Sequence, residues 1–362
     1  MMFKKYFIVI VKMSAGLTVL VSRGDTDRHI TGSPETTYFY SQYKKHSNFS
    51  VITHTQTLQQ NPKAGSFSTV RIDKRGDLLS YINIVADDPV DGTQLISDWR
   101  TIIKKVDLYI GGSLIDSQDS EFTEGIAIDL LANTYSKTYP ASLHGGVGSQ
   151  SYFYPLRFWF AENWGSALPL IGLNFHDVEL KIYWQDTLED FTYIVDACYI
   201  LLDEQERNHL ANSKIEMLIF QIQKNLPNFE KSQELVFNHP VKWIASSNVT
   251  IDNVNNTLVS NINKVKLQVN GVDLTESKRS VPFFTSISCY HHSEYSASNT
   301  EQLFFFPFCL SAGKMQPTGT LNFSMVDSVK IHCDQAINTP IYALNLNVLR
   351  VHRGVGGLLY SD

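Results

Sequence analysis

Apolar and polar residues trade places at nearly every step through much of this chain. Lys105-Val-Asp-Leu-Tyr-Ile110 and Val178-Glu-Leu-Lys-Ile-Tyr-Trp184 show the pattern most plainly. A period of two is what a pleated strand with one buried face requires, because successive side chains point to opposite sides. Short runs of this kind, rich in Val, Ile, Thr, Phe and Tyr, are broken by Gly, Pro, Asn and Asp. They predict strands at 66–72, 78–85, 105–110, 178–184, 192–202, 264–269, 303–308, 328–332 and 341–351. Strands of this length between turn residues mark sandwiches and barrels, so the expected class is all-β and antiparallel. Helix-period stretches are few: 93–103, 121–135 and the polar run 203–210.

The pattern also repeats. Lys105-Val-Asp-Leu-Tyr-Ile-Gly-Gly112 resembles Lys264-Val-Lys-Leu-Gln-Val-Asn-Gly271, and both end on a glycine turn. Leu173-Asn-Phe175 matches Leu321-Asn-Phe323, and Lys181-Ile182 matches Lys330-Ile331. An aromatic strand precedes each Leu-Asn-Phe, at 156–160 and 303–308, and a long apolar strand follows, at 193–202 and 342–351. The offset runs from 159 residues (Lys105 to Lys264) to 148 (Leu173 to Leu321). Four strands in one order at a nearly constant offset indicate a duplicated β-domain. The expected division is a first domain at 13–203, a polar connector at 204–234 and a second domain at 235–362.

Composition supports a packed, uncharged body. Of 362 residues, 43% are hydrophobic and 18% charged, which excludes global disorder. The net charge is −6 and no Lys/Arg block occurs, so no footprint for a nucleic-acid backbone is present. Cys198, Cys289, Cys309 and Cys333 form no CxxC pair and have no histidine at metal spacing. They read as reduced, buried cysteines of a cytosolic assembly compartment. At the start, Lys4 and Lys5 precede six apolar residues that Lys12 interrupts, a pattern loosely like a signal peptide but short for one, and far too short for a membrane span. Residues 1–12 read as an upstream extension or flexible arm, with Met13 as the more natural start.

No constellation of catalytic residues emerges. The chain has no G-x-S-x-G, H-E-x-x-H or phosphate-loop motif. His144-Gly-Gly-Val-Gly-Ser149 is glycine-rich but lacks the lysine and the strand–helix context of a phosphate cradle, so a surface loop is expected. His291 and His292, with Glu294 nearby, cannot easily share one ion if extended, and a polar loop is the better reading. Asp87, Asp88 and Asp91, beside Pro89 and Gly92, read as a solvated turn, as do Asp116, Asp119 and Glu121. N-x-[ST] patterns stand at Asn48, Asn248, Asn255 and Asn322 and matter only on a secretory route. The aromatic clusters 152–160 and 304–308 lack the Arg and Lys of a base-stacking platform and are expected in core or subunit interface. Catalytic, cofactor-binding and metal-binding residues are therefore all expected to be none.

The residues carry a family resemblance from Met13 to the last residue. It runs through Leu17-Thr-Val-Leu-Val-Ser-Arg-Gly24, Ile30-Thr-Gly-Ser-Pro34, Thr37-Tyr-Phe-Tyr40 and Arg75-Gly-Asp-Leu78. Its most specific part is Tyr154-Pro-Leu-Arg-Phe-Trp-Phe160, then Gly165-Ser-Ala-Leu-Pro-Leu-Ile171 and His176. It continues through Leu202-Asp-Glu-Gln-Glu-Arg207, Phe237-Asn-His-Pro240, Gln316-Pro-Thr-Gly-Thr320 and Asn347-Val-Leu-Arg350, ending on Gly354-Val-Gly-Gly-Leu358. The chain resembles the double jelly-roll major capsid proteins of nucleocytoplasmic large DNA viruses, algal-virus branch. The resemblance implies two tandem eight-stranded antiparallel jelly-roll sandwiches with short helices in the loops. It implies a structural, non-enzymatic homotrimer that contacts neighbouring capsomers, minor capsid proteins and the inner membrane side, without direct nucleic-acid contact. Its place would be the icosahedral virion shell, assembled in the host cytoplasm. The alternative is a jelly-roll binding module for a host glycan or receptor on a minor capsid or spike protein. Residues 246–263 are short where the family often carries a long surface loop, which implies a reduced outer tower. Trimer contacts are expected from inter-strand loops and from the tail 350–362, where glycines at 354, 356 and 357 allow a tight path.

Overall fold

The computed structural model describes residues 15–138, 151–188, 190–248, 255–294 and 303–360. The chain divides after His46. The described residues before that point carry two seven-residue helices, Ala15–Val21 and Asp25–Thr31. The Gly24 N–H donates to the Asp27 carboxylate at 2.8 Å and fixes the start of the second. Neither helix buries a side chain, and Leu17, Val19, Leu20 and Val21 stand exposed. Helices this short have little stability from their own hydrogen bonds.

Residues 47–362 form the main body. Its first half contains β1 (Phe49–Gln56), β2 (Phe67–Arg71), β3 (Leu78–Asp88), β4 (Gly92–Thr93), β5 (Ile103–Ile110), β6 (Ser113–Asp119), β7 (Phe153–Pro155), β8 (Leu168–Pro169), β9 (Val178–Trp184) and β10 (Thr192–Leu202). One sheet has the order β1-β10-β3, with β4, β7 and β8 all pairing with β3; the other is β2-β9-β5-β6. The second half contains β11 (Ile215–Asn225), β12 (Ser232–Glu234), β13 (Pro240–Ser247), β14 (Lys264–Val269), β15 (Val272–Asp273), β16 (Lys278–Arg279), β17 (Leu303–Pro307), β18 (Leu321–Asn322), β19 (Val329–Cys333), β20 (Ile341–His352) and β21 (Val355–Leu358). Here the orders are β11-β20-β13-β17 and β12-β19-β14-β15. The two halves share one topology, in which the first and last long strands pair and close each sandwich. This is the expected pair of tandem jelly rolls.

The glycine turns that marked the repeat are two-residue hairpins in both halves. Gly111 and Gly112 have φ of +57° and +80°, and Asn270 and Gly271 have +49° and +81°. Left-handed φ at both central residues matches the twist of the flanking strands. A second repeat had no sequence signal. Ser120–Phe122, a five-residue π stretch Thr123–Ala127 and Ile128–Leu130 follow β6. Ser280–Pro282, a five-residue π stretch Phe283–Ile287 and Ser288–His292 follow β16 in the same way.

Several expectations change. The helix expected at 93–103 is one 3₁₀ turn, Trp99–Thr101, with the Asp98 carboxylate accepting from the Arg100 N–H; strand β5 begins directly after it. The strand expected at 156–160 is coil followed by a helical turn, Trp159–Glu162. Phe158, Trp159 and Phe160 are all fully buried, which consecutive residues of a strand with one open face cannot be. The Leu-Asn-Phe match is out of register. Leu321-Asn322 is β18 itself, whereas Leu173–Phe175 follows a 3₁₀ turn, and β8 is the topological counterpart of β18. Residues 204–234, expected as a connector containing some helix or an extra strand, hold the helix Glu204–Asn212 and then β11 and β12, the edge strands of both second-half sheets. Edge strands with a solvent side are polar, which is why this stretch has a linker's composition.

One sheet is buried on both faces. In β13, β17 and β20 the side chains of Val241, Ile244, Phe304, Phe306, Ile341 and Ala343 enter the second sandwich's own core. The intervening Trp243, Ala245, Leu303, Phe305, Tyr342 and Leu344 join a cluster that includes Phe122, Ile126, Ala127 and Leu130 of the first half. A strand covered on both sides reads as an unbroken apolar run, which explains Phe304-Phe305-Phe306. Removing either side chain therefore opens a cavity. Phe304→Ala and Phe305→Ala are each expected to cost about 3–5 kcal/mol in urea unfolding. A Phe305→Ala cost below about 1 kcal/mol would show that the outer face is not sealed.

Candidate assembly interface

The seam between the sandwiches begins at the end of β6. Asp116 in the middle of that strand, Asp119 at its end and Glu121 of the following helix point at the second half. The Ile222 N–H donates to the Asp116 carboxylate at 2.9 Å, and the Gln221 amide donates to the Ile115 carbonyl. Lys224 reaches Asp119 at 2.6 Å and Glu121 at 3.3 Å. The Tyr342 hydroxyl donates to the same two carboxylates at 2.8 and 3.2 Å, and its ring lies 5.8 Å from that of Phe122. Burial works against the Lys224 charge, but Asp119 and Glu121 outweigh it and hold its pKa above the ordinary lysine value. The rim is thus polar and paired, around an apolar centre.

The C-terminal hairpin closes the other side of the seam. Strand β21 folds back on β20, and the Gly354 carbonyl accepts from the Phe175 N–H at 2.9 Å. The His176 ring sits against the Gly356 backbone, 2.9 Å from its carbonyl oxygen. A Cβ on Gly356 would overlap Leu173, so the close approach requires glycine. Gly354 and Gly356 therefore serve a contact within the chain.

The other candidates take structural roles. Asp116 is 3% exposed, and Asp119 and Glu121 also face the seam, so the solvated turn expected there is wrong. The alternation of β6 into its buried face was the available signal, but three acids in six residues masked it. His291 and His292 end a helix instead of lying in a polar loop, and His292 Nδ1 is 2.8 Å from the Cys309 carbonyl oxygen. Glu294 pairs with Lys314 and accepts from the Ser311 hydroxyl. Among the described residues no group of His, Cys, Asp and Glu has the arrangement of a metal site. Asp88 accepts from the Val90 and Asp91 N–H groups in a turn at the end of β3. The four cysteines are buried and unpaired. His144–Ser149 lies outside the described residues.

Asp116 makes the seam sensitive to pH. Burial raises its carboxyl from the ordinary 3.8 to about 7, against the N–H groups of Ile222, Gln118 and Ser117, which favour the anion. Asp107 adds to the rise. A carboxyl that holds its proton more tightly when folded stabilises the fold fully below its unfolded pKa and loses that contribution as pH rises through the folded value. Asp116→Asn is accordingly expected to gain stability relative to the unmodified chain between about pH 5 and pH 8. Urea midpoints across that range check it, and a relative loss with rising pH contradicts it.

Comparisons with known proteins give this architecture its context. A family described as the major capsid protein N-terminus matches residues 37–222, and one described as the large eukaryotic DNA virus major capsid protein matches residues 206–357. The major capsid protein of Pyramimonas orientalis virus is 30% identical, across 97% of this chain and 100% of that protein. That of Paramecium bursaria Chlorella virus 1 is 26% identical with the same coverage. Among solved structures, the quasi-atomic PBCV-1 virus capsid shares the fold with a TM-score of 0.73 at 22% identity, over 90% of this chain and 100% of that one. The Faustovirus major capsid protein shares it with a TM-score of 0.65 at 11% identity, over 91% and 94%. On these matches the chain belongs to the major capsid proteins of large eukaryotic DNA viruses, non-enzymatic structural proteins of the virion shell.

Proposed function

We propose that three copies of this chain form a capsomer of pseudo-hexagonal outline, and that capsomers tile an icosahedral shell. The observation that carries the reading is the pair of sandwiches with one topology, joined through a sheet buried on both faces. Two similar domains held in one chain let three chains present six similar sides. Closed symmetry ends growth at the trimer, and weaker lateral contacts between neighbouring capsomers extend the lattice. The exposed apolar side chains before His46, including Tyr38, Phe39, Tyr40 and Tyr43, mark a segment that gains its partner on assembly. Its place is beneath the capsomer, against minor capsid proteins or the inner membrane. The net charge of −6 supports a shell role without direct nucleic-acid contact, and the four unpaired buried cysteines suit assembly in the host cytoplasm.

Light scattering on the purified chain is expected to give three times the 41.0 kDa chain mass. Negative-stain images should show a six-sided outline. A stable monomer at micromolar concentration contradicts the capsomer and favours a binding module.

A further inference from the structure

The two glycine hairpins match in geometry but differ in one functional group. In the first sandwich the turn is Gly111-Gly112, and in the second it is Asn270-Gly271. Asn270-Gly271 is the one Asn-Gly pair in the sequence. A side-chain amide followed by glycine is open to attack from its own backbone, because Gly271 has no Cβ to shield its nitrogen from the Asn270 Cγ. The surroundings do not shield it either. Both residues are exposed, and a Cβ built on Gly271 would meet no atom within 4 Å.

Two features of the closed turn hold that reaction off. Asn270 and Gly271 have φ of +49° and +81°, the left-handed pair of a two-residue hairpin. In such a turn the first residue has ψ of about +30°. At that ψ the Gly271 nitrogen lies nearly opposite the Asn270 Cβ about the Cα–C bond. Closing a five-membered ring needs the two on the same side, so the turn is far from an attack geometry. The side chain is also tied. Its Oδ1 accepts from the N–H groups of Asp327 and Ser328 at 2.9 and 3.1 Å, and the Asn270 N–H donates to the Ser328 carbonyl at 2.9 Å. Three hydrogen bonds thus fasten this residue to the turn before β19.

We propose that Asn270 is a site of spontaneous deamidation that the closed hairpin guards, and that a chain left open converts there and can no longer close the turn. When β14 and β15 separate, ψ is free and the Gly271 nitrogen attacks the Asn270 Cγ. The Cγ–Nδ2 bond breaks, and ammonia leaves with the proton of the Gly271 N–H. Water then opens the cyclic imide at one of its two carbonyls, giving aspartate or isoaspartate. Aspartate still accepts from Asp327 and Ser328, with a charge that strengthens both bonds. Isoaspartate routes the backbone through the side-chain carbons, and a hairpin whose register is set by its two-residue turn no longer fits. The damage reaches the core, because β14 lies between β19 and β15 and carries Val265 and Leu267 into the second sandwich.

The test follows the full chain in mildly alkaline buffer, folded and in urea. Peptide mass mapping and labelling by an isoaspartate-specific methyltransferase read the conversion. In urea, Asn270 should gain about one dalton ahead of every other asparagine. In the folded chain the same gain should be at least about tenfold slower, because it waits on local opening. After conversion in urea the chain should refold with lower yield than Asn270→Gly held in urea for the same time. That variant keeps the left-handed turn and has no amide to lose. Equal rates in the folded and unfolded chains overturn the guard, and another asparagine converting first overturns the site. Equal refolding yields of the converted chain and Asn270→Gly overturn the consequence for the fold.

Discussion

The structure depends on a sheet that has no free face. Strands β13, β17 and β20 send alternate side chains into two different cores, so neither sandwich can separate without exposing Trp243, Phe305, Tyr342 and Leu344. An apolar surface of that kind does not persist in water on a monomeric domain. The joint is therefore part of the fold. The carboxylates of Asp116, Asp119 and Glu121 and the hairpin at Gly354–Gly356 fix its orientation. Their role is register, because an apolar contact alone is not directional.

This constraint explains a difference between the duplicated halves. The sheet in the second sandwich is covered during folding and carries Trp243 and Leu344. Its counterpart in the first carries Asn83 and Asp196 at the same register positions. A face that is only half-buried must remain soluble, so its centre is more polar. The duplicated domain has kept its geometry, while its chemistry follows how far each face is covered.

Much of the fold was legible in the sequence because strand alternation depends on one buried face and survives locally. Strands β9, β10 and β14 match their expected limits. The glycine hairpins were legible because left-handed φ restricts residue choice. The seam was not. Its apolar half hides in runs such as Phe304–Phe306, where burial on both sides erases the alternation. Its polar half hides in Asp116, Asp119 and Glu121, which look solvated until Ile222 and Lys224 arrive from about a hundred residues away. The helical segments at 120–130 and 280–292 share geometry but little sequence, so their repetition leaves no trace in the residue pattern. The absence of catalytic motifs was readable, and the family membership gives that absence its sense.

The two sandwiches are one cooperative body because one sheet of the second packs its outer face into the core of the first. Hydrogen exchange on the full chain under increasing denaturant tests it most directly, since it resolves opening element by element. Amides of β3 and β10 in the first sandwich and of β13 and β20 in the second are expected to lose protection together, with one free energy of opening. Exchange of β13 and β20 at lower denaturant, while β3 and β10 remain protected, would contradict it.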